Sequence, residues 1–312
     1  MNNQQIPLDR RGFLMGAAAV VGLSSSADNA CNSCCSACKG RILFGTTRSK
    51  PEDVALMKSI GYDFYEQGVA AALGPDKDDE WWKKRRDEIL AMPLPLRSCN
   101  GFIPGTFRLT GPKADHEPAL KYAETAMRRA EEVGVISLVF GSGGARNVPG
   151  DFTLDKAQRP DIEEGTRQYT EFCRELCRRT ADLKKVAITI EPLRPNESNI
   201  INFVWQGLLV CEDVNSPRLC QLADIFHMMM GRESAESIRQ AGARLRHCHI
   251  AAYDTRSFPG SDPATVERFV PYFQALKDIG YAGGVSCECS FGKKEDLAKN
   301  FETALKTMKG LV

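Results

Sequence analysis

The sequence predicts a single α/β domain, a (β/α)8 barrel over residues 41–312, and three observations carry that expectation. Short runs of β-branched and other apolar residues alternate eight times with stretches of helical periodicity, the pattern of a parallel sheet covered by helices. No linker or change of composition divides the chain after residue 40, and its 312 residues, 43% apolar, suffice for one barrel core. Four of the later apolar runs stop at a carboxylate or a histidine, at the strand ends where barrels of this kind carry their chemistry.

Strand one is expected over 41–46 (R-I-L-F-G-T). A helix follows, capped by Ser49, with Pro51 in its first turn and Val54, Met57 and Ile60 on one face. Strand two, 62–66 (Y-D-F-Y-E), leads to a charged amphipathic helix over 81–90. Strand three, 96–99, leads to a loop over 100–112 rich in Gly and Pro. A helix over 119–132 has Gly134 just past its end, where a left-handed residue is wanted. Strand four, 136–140, runs into Gly141-Ser142-Gly143-Gly144-Ala145-Arg146. Arg146 stands where a dinucleotide fingerprint needs its third glycine, so this stretch reads as a tight loop on a rim.

A long helix over 162–183 precedes strand five, 186–190 (V-A-I-T-I). A helix near 200–211, strand six at 218–223, a helix at 234–241 and strand seven at 245–248 follow. Asp262-Pro263 opens the next helix, whose Val266, Phe269, Val270, Phe273 and Leu276 repeat at helical spacing. Strand eight is 284–287, and the last helix packs through Leu297, Phe301, Leu305 and Met308.

The first 40 residues do not belong to this pattern. Arg10-Arg11-Gly12-Phe13-Leu14 precedes a short apolar stretch and the small residues 24–27, which reads as a twin-arginine signal peptide over 1–30 with cleavage at Ala27. The expected location is therefore exported, or periplasmic, by a route that moves folded proteins. Lipid attachment at Cys31 is disfavoured, because Asp28-Asn29-Ala30 lacks the apolar residue such a signal wants. Residues 31–40 read as a Cys-rich linker. Cys31, Cys34, Cys35 and Cys38 lie too close for the two separated pairs of a zinc ribbon, so disulfides or a mobile linker are expected. The other eight of the twelve cysteines fall mostly in strands and helices, where small buried apolar filler is the expectation.

A net charge of +1 leaves no electrostatic footprint for nucleic acid, and no apolar run reaches bilayer length. No nucleic-acid partner and no membrane span are expected. Nothing in the residues decides between a monomer and a homo-oligomer.

The chemistry-bearing residues are Glu191, Asp224, His249 and Glu288, each where an apolar run gives out. Steps of 33, 25 and 39 residues separate them, about one strand–helix unit each. A carboxylate at the end of a buried strand is costly unless something pairs with it. Four such ends make an oxygen-rich site with one imidazole, which suits a single hard or borderline divalent ion: Mn²⁺, Mg²⁺ or Co²⁺, with Zn²⁺ also served. His247, two residues before His249, points to the same side and is read as filling a barrel layer. Asp224 could instead cap a helix, although Ser234 is nearer the helix start, and Met228, Met229 and Met230 read as wall or core. His116 has no partner pattern.

The stretches E-P-L-R-P-N-E-S from Glu191, D-I-F-H-M from Asp224, R-H-C-H-I-A from Arg246 and G-V-S-C-E-C from Gly284 resemble the ketose 3-epimerase branch of the xylose isomerase-like TIM barrel superfamily of sugar phosphate isomerases and epimerases. The motifs lie within 186–290, and the eight-unit pattern extends the match over 41–312. The resemblance implies a metal held by Glu191, Asp224, His249 and Glu288, with Glu191 and Glu288 doubling as the proton-transfer pair. It further implies that His227 and Glu197 bind substrate, and that the substrate is a small carbohydrate. The family's arginine is expected six residues after the metal histidine. Position 255 is Thr255, so Arg256, at seven, is taken as the substrate-binding counterpart.

The implied chemistry is physically coherent. Moving a stereocentre beside a carbonyl requires removal of a weakly acidic C–H proton. A divalent ion on the carbonyl and neighbouring hydroxyl stabilises the cis-enediolate, while two carboxylates remove and return the proton. The same site could run a lyase or dehydratase step on a keto-sugar or keto-cyclitol, which begins with the same abstraction. Phosphodiester hydrolysis by a three-metal cluster needs more histidines than the four present. A non-catalytic sugar-binding module would not need both Glu191 and Glu288. Gly292-Lys293-Lys294 follows strand eight, where many barrels bind phosphate, but two lysines at a helix start usually form a solvated face.

Overall fold

The structure, a computed structural model, describes residues 40–150 and 159–312. The twin-arginine stretch, its cleavage point and the cysteines at 31–38 lie outside the described residues. Eight strands close in chain order, every neighbouring pair parallel: β1 (Leu43–Thr46), β2 (Phe64–Gly68), β3 (Leu96–Asn100), β4 (Ser137–Phe140), β5 (Ala187–Ile190), β6 (Leu219–Asp224), β7 (Leu245–Ile250) and β8 (Gly284–Cys287). β8 returns to β1 with Leu43 opposite Gly284 and Thr46 opposite Cys287, so no edge is left to pair with another chain.

The helices among the described residues are α1 (Pro51–Ile60), α2 (Val69–Leu73), α3 (Asp79–Leu90), α4 (His116–Glu132), α5 (Gly143–Arg146), α6 (Asp161–Arg179), α7 (Val204–Val214), α8 (Ile225–Met230), α9 (Glu236–Ala241), α10 (Val270–Asp278) and α11 (Leu297–Lys309). None is long and apolar enough to cross a membrane. Their caps correct several expected boundaries. α1 starts at Pro51, but Lys50 precedes it and Ser49 does not cap it; Gly61, at φ +103°, ends it by donating back to Met57 and Lys58. α4 begins earlier than expected because Asp115 accepts from Glu117 N, and Pro118 costs nothing in a first turn whose N–H groups lack partners anyway. The segment opened by Asp262 is first a 3-10 stretch, Pro263–Phe269, and only then α10.

Two cores result. One lies between strands and helices, where Phe44, Val54, Met57, Leu138, Phe140, Phe172, Phe273 and Phe301 are buried. The other fills the barrel. Alternate residues of each strand face inward, and Phe64 lies so close to Gly45 that a Cβ there would overlap its ring. The filling also holds polar groups, with Ser137 and Thr189 hydroxyls 2.7 Å apart. Cys99, Cys173, Cys177, Cys211, Cys220, Cys248 and Cys287 are buried, as filler should be, Cys289 is half-buried, and none of them forms a disulfide among the described residues. His116 Nε2 donates locally to Leu109 O at 2.8 Å, and the ring packs on Phe172. Lys293 and Lys294 are exposed.

Candidate metal and active site

Strand periodicity builds the site. Glu191 and Glu288 each sit one residue beyond β5 and β8, Asp224 ends β6, and His249 is the fifth residue of β7. Each offers one donor atom, and the four atoms all lie within 4.8 Å of one another. His249 Nδ1 is 3.0 Å from Glu191 Oε1 and 3.7 Å from Glu288 Oε2. β7 runs two residues beyond its expected end, so His249 is held inside a strand rather than on a loop.

The electrostatics are those of a cluster built for a cation. Burial pushes the Glu288 carboxyl up. His249 and Arg256 oppose that shift, and the charges of Glu191 and Asp224 add to it. Burial pulls His249 down, but the charges of Glu66 and Glu288 and hydrogen bonds to Glu191 and Glu66 outweigh it and hold the imidazole well above its ordinary range. Three converging carboxylates and one imidazole nitrogen, nearly all out of solvent, fit a divalent ion.

Around this group lie the other expected residues. His227 is 3% exposed, and neither ring nitrogen has a hydrogen-bond partner among the described residues. Its Nε2 stands 3.5 Å from Asp224 Oδ2 and 3.7 Å from Glu197 Oε2. Asp224 does two things at once, since its Oδ1 accepts from Phe226 N and His227 N and so caps α8, a helix the sequence reading did not anticipate. Met228 and Met229 are buried wall. Glu197 accepts from Arg194 Nε at 2.7 Å and lies 3.5 Å from Arg256 Nη1. Arg256 Nη2 donates to Glu288 Oε2 at 2.6 Å. The two guanidiniums stand 5.4 and 5.0 Å from the ring centre of Phe226. Arg256 reaches the site despite its one-residue offset, from a loop in which Asp254 (φ +64°) and Arg256 (φ +49°) adopt left-handed conformations.

Glu191, Glu197, Arg256 and Glu288 border a cavity of about 370 Å³ whose wall also includes Val69, Asn100 and Ser142. A larger cleft, about 490 Å³, lies on the outer surface beside α9 and α10 along Met229, Arg239 and Tyr272. Neither of the metal-ligating groups found among the described residues borders it, so the chemistry belongs to the smaller cavity.

Several working residues were missed by the sequence reading. Gly141 is needed because a Cβ there would overlap Glu191 Oε2. Arg146, expected on a rim, is fully buried and donates to Phe140 O, Glu191 O and Ile201 O at 2.9, 2.9 and 3.2 Å, tying the end of β4 to the loop after Glu191. Its segment is one helical turn, α5, not a loop. Asn100 Nδ2 donates to Glu288 Oε1 at 3.1 Å. Glu66, wholly buried on β2, meets His249 Nε2 at 3.0 Å and His247 Nε2 at 3.0 Å. It was in view, since strand two was expected to end on that carboxylate just as strand five ends on Glu191.

Comparison with known proteins agrees with this fold. A protein of Synechocystis sp. named "Probable ketose 3-epimerase" is 28% identical over 65% of this chain and 67% of its own length. The other curated relatives are matched over about half their length or less. Among solved structures, D-psicose 3-epimerase from Clostridium cellulolyticum H10 superposes with a TM-score of 0.71 at 18% identity, covering 86% of this chain and 99% of that one. The 3-keto-D-glucoside 4-epimerase of E. coli follows at 0.68 and 19%, covering 87% and 99%. Residues 54–311 match the family described as xylose isomerase-like TIM barrel, and the chain belongs to that family.

Proposed function

We propose that this chain is a divalent-metal-dependent carbohydrate epimerase that moves a proton beside the carbonyl of a ketose. The convergence of Glu191 and Glu288 on one cavity, together with Asp224 and His249, carries the reading. The ketose 3-epimerase names of its relatives support the substrate class. A bound ion, Mn²⁺, Mg²⁺ or Co²⁺ by the oxygen-rich donor set and Zn²⁺ by the imidazole, supplies Lewis-acid stabilisation of negative charge on substrate oxygen.

The chain's own residues do the rest. Glu191 and Glu288 remove the proton and return it, one acting as base and the other as acid. His227 is buried with no hydrogen-bond partner among the described residues, and it donates to the oxygen on which charge develops. Glu197 and Arg256, at the cavity mouth, bind substrate hydroxyls, and Arg194 holds Glu197 in place. Arg256 currently spans Glu197 and Glu288, so substrate takes over contacts that these residues make with each other.

The test is incubation with Mn²⁺ in deuterated water and a panel of ketoses, 3-keto-glycosides and keto-cyclitols. The reading requires an epimer carrying deuterium at the inverted carbon. Loss of water from the substrate after the same exchange would assign a dehydratase, and no exchange in any member would reject the proton-transfer reading. We further propose export by the twin-arginine route, on the strength of Arg10-Arg11 and the apolar stretch behind them. Mass spectrometry of the protein from its host should find a chain starting near residue 28, whereas an intact Met1 would remove the proposal.

A further inference from the structure

Glu66 is a carboxylate with no contact with water, inside a barrel, one layer below the cavity. Such a group persists only when its lone pairs are taken up. Oε2 accepts from Ser98 Oγ at 2.5 Å and from Ser286 Oγ at 2.7 Å, and stands 3.0 Å from His247 Nε2. Oε1 stands 3.0 Å from His249 Nε2. A carboxylate can only accept, so His249 must donate from Nε2. Nδ1, 3.0 Å from Glu191 Oε1, must likewise donate in the ion-free ring; an ion that takes the place of that proton leaves a neutral ring whose lone pair lies on Nδ1, the nitrogen that faces Glu191 and Glu288.

We propose that Glu66 is a positioning residue for the metal-ligand group, holding His249 through Nε2 so that Nδ1 is the nitrogen offered alongside Glu191, Asp224 and Glu288. Ser98, Ser286 and His247 fix Glu66 in turn, each drawn from a different strand, β3, β8 and β7. The carboxylate therefore cannot rotate without breaking three contacts, and the imidazole ring cannot flip without losing Glu66. A carboxylate behind a histidine ligand also makes the ring a better donor. The inference rests on the reading that the four residues hold a divalent ion.

Glu66, His247 and His249 also form a group whose donor atoms lie within 4.8 Å of one another, which raises the alternative of a second ion in the barrel. The contacts favour the brace. Glu66 Oε2 already accepts from two hydroxyls, and the Nε2 atoms of both histidines lie at hydrogen-bond distance from Glu66. An ion there would have to displace contacts that are already made.

The experiment titrates Zn²⁺ and Mn²⁺ into the metal-stripped full chain, wild type and Glu66→Gln, with thermal melting of the metal-free proteins alongside. One ion per wild-type chain is expected, with affinity about 10- to 100-fold weaker in Glu66→Gln, compared at a temperature where the metal-free melts show both chains folded. Ser286→Ala, which removes one support, should give a smaller loss. Wild type that binds no ion would reject the metal reading itself. Wild type that binds while Glu66→Gln binds equally well would reject only the role of Glu66. Should Glu66→Gln fail to fold, ¹⁵N-histidine spectra of Zn²⁺-loaded wild type decide the matter. His249 must show a protonated Nε2 and a metal-shifted Nδ1; the reverse assignment, or a second tight ion lost in His247→Gln, overturns the proposal.

Discussion

The two halves of the barrel contribute to the site in different ways. β5 to β8 supply all four donors, Glu191, Asp224, His249 and Glu288. β1 to β4 supply what holds them: Glu66 from β2 behind His249, Asn100 from β3 on Glu288, and Arg146, just after β4, on the carbonyl of Glu191. Glu191 and Glu288 face the cavity from just beyond their strands, while Glu66 lies deeper, Arg146 acts on backbone and Asn100 meets Glu288 from the cavity wall. The proposed chemistry and its positioning thus come from opposite sides of one closed sheet, and each half can be perturbed separately.

The largest effect is expected from a donor. Glu288→Gln at saturating Mn²⁺ should lower turnover roughly 10²- to 10⁴-fold, the range for loss of a proton-transferring group, while leaving much of the substrate affinity. Unchanged turnover would remove Glu288 from the proton pair. A support should act on stability instead. Arg146→Met removes a donor from the carbonyls of Phe140, Glu191 and Ile201; Phe140 O keeps Glu191 N and Ile201 O keeps Leu193 N, so Glu191 O bears the main loss and urea unfolding should shift by about 1–3 kcal/mol. A shift below about 1 kcal/mol would mean that water or rearrangement replaces the guanidinium.

Two buried carboxylates sharpen the contrast. Burial pushes Glu66 up, but the charge of His249 and the hydrogen bonds from both histidines prevail and hold it well below the ordinary range. Glu233, outside the site, has no such company and is pushed up from 4.5 to about 7, mainly by burial, although it accepts from Val204 N. Between those values the folded chain binds the proton more readily than the unfolded one, so the stability Glu233 contributes is full below pH 4.5 and lost as pH rises past about 7. Glu233→Gln should therefore be more stable than wild type at pH 8, by up to about 3 kcal/mol, with the gain vanishing near pH 4.5. An equal gain at both pH values would contradict the assignment. The smallest effect belongs to Asn100→Ala, which removes one hydrogen bond to Glu288 and should slow turnover about tenfold, for roughly 1–1.5 kcal/mol.

The contrast also explains what could be read from the chain. V-A-I-T-I ending at Glu191-Pro192 is legible because a charge closing a buried run demands a partner. Asp224 and Glu288 read the same way, and each strand came within two or three residues of its expected place. Arg146 was not legible as a brace, because its acceptors at 140, 191 and 201 meet only in the closed barrel. Glu66 obeyed the rule that found Glu191, but its partners come from strands three, seven and eight, and no local spacing announces them. The cap on α1 failed for a simpler reason: Pro51 fixed the helix start, leaving Ser49 one residue too early.

The central claim is that the strand-end group, rather than the layer beneath it, takes the ion. Anomalous diffraction from crystals grown with Mn²⁺ tests this directly. The account predicts one peak per chain, in bonding contact with carboxylate oxygens of Glu191, Asp224 and Glu288 and with Nδ1 of His249. A peak between Glu66, His247 and Nε2 of His249, or none at either place, would contradict it.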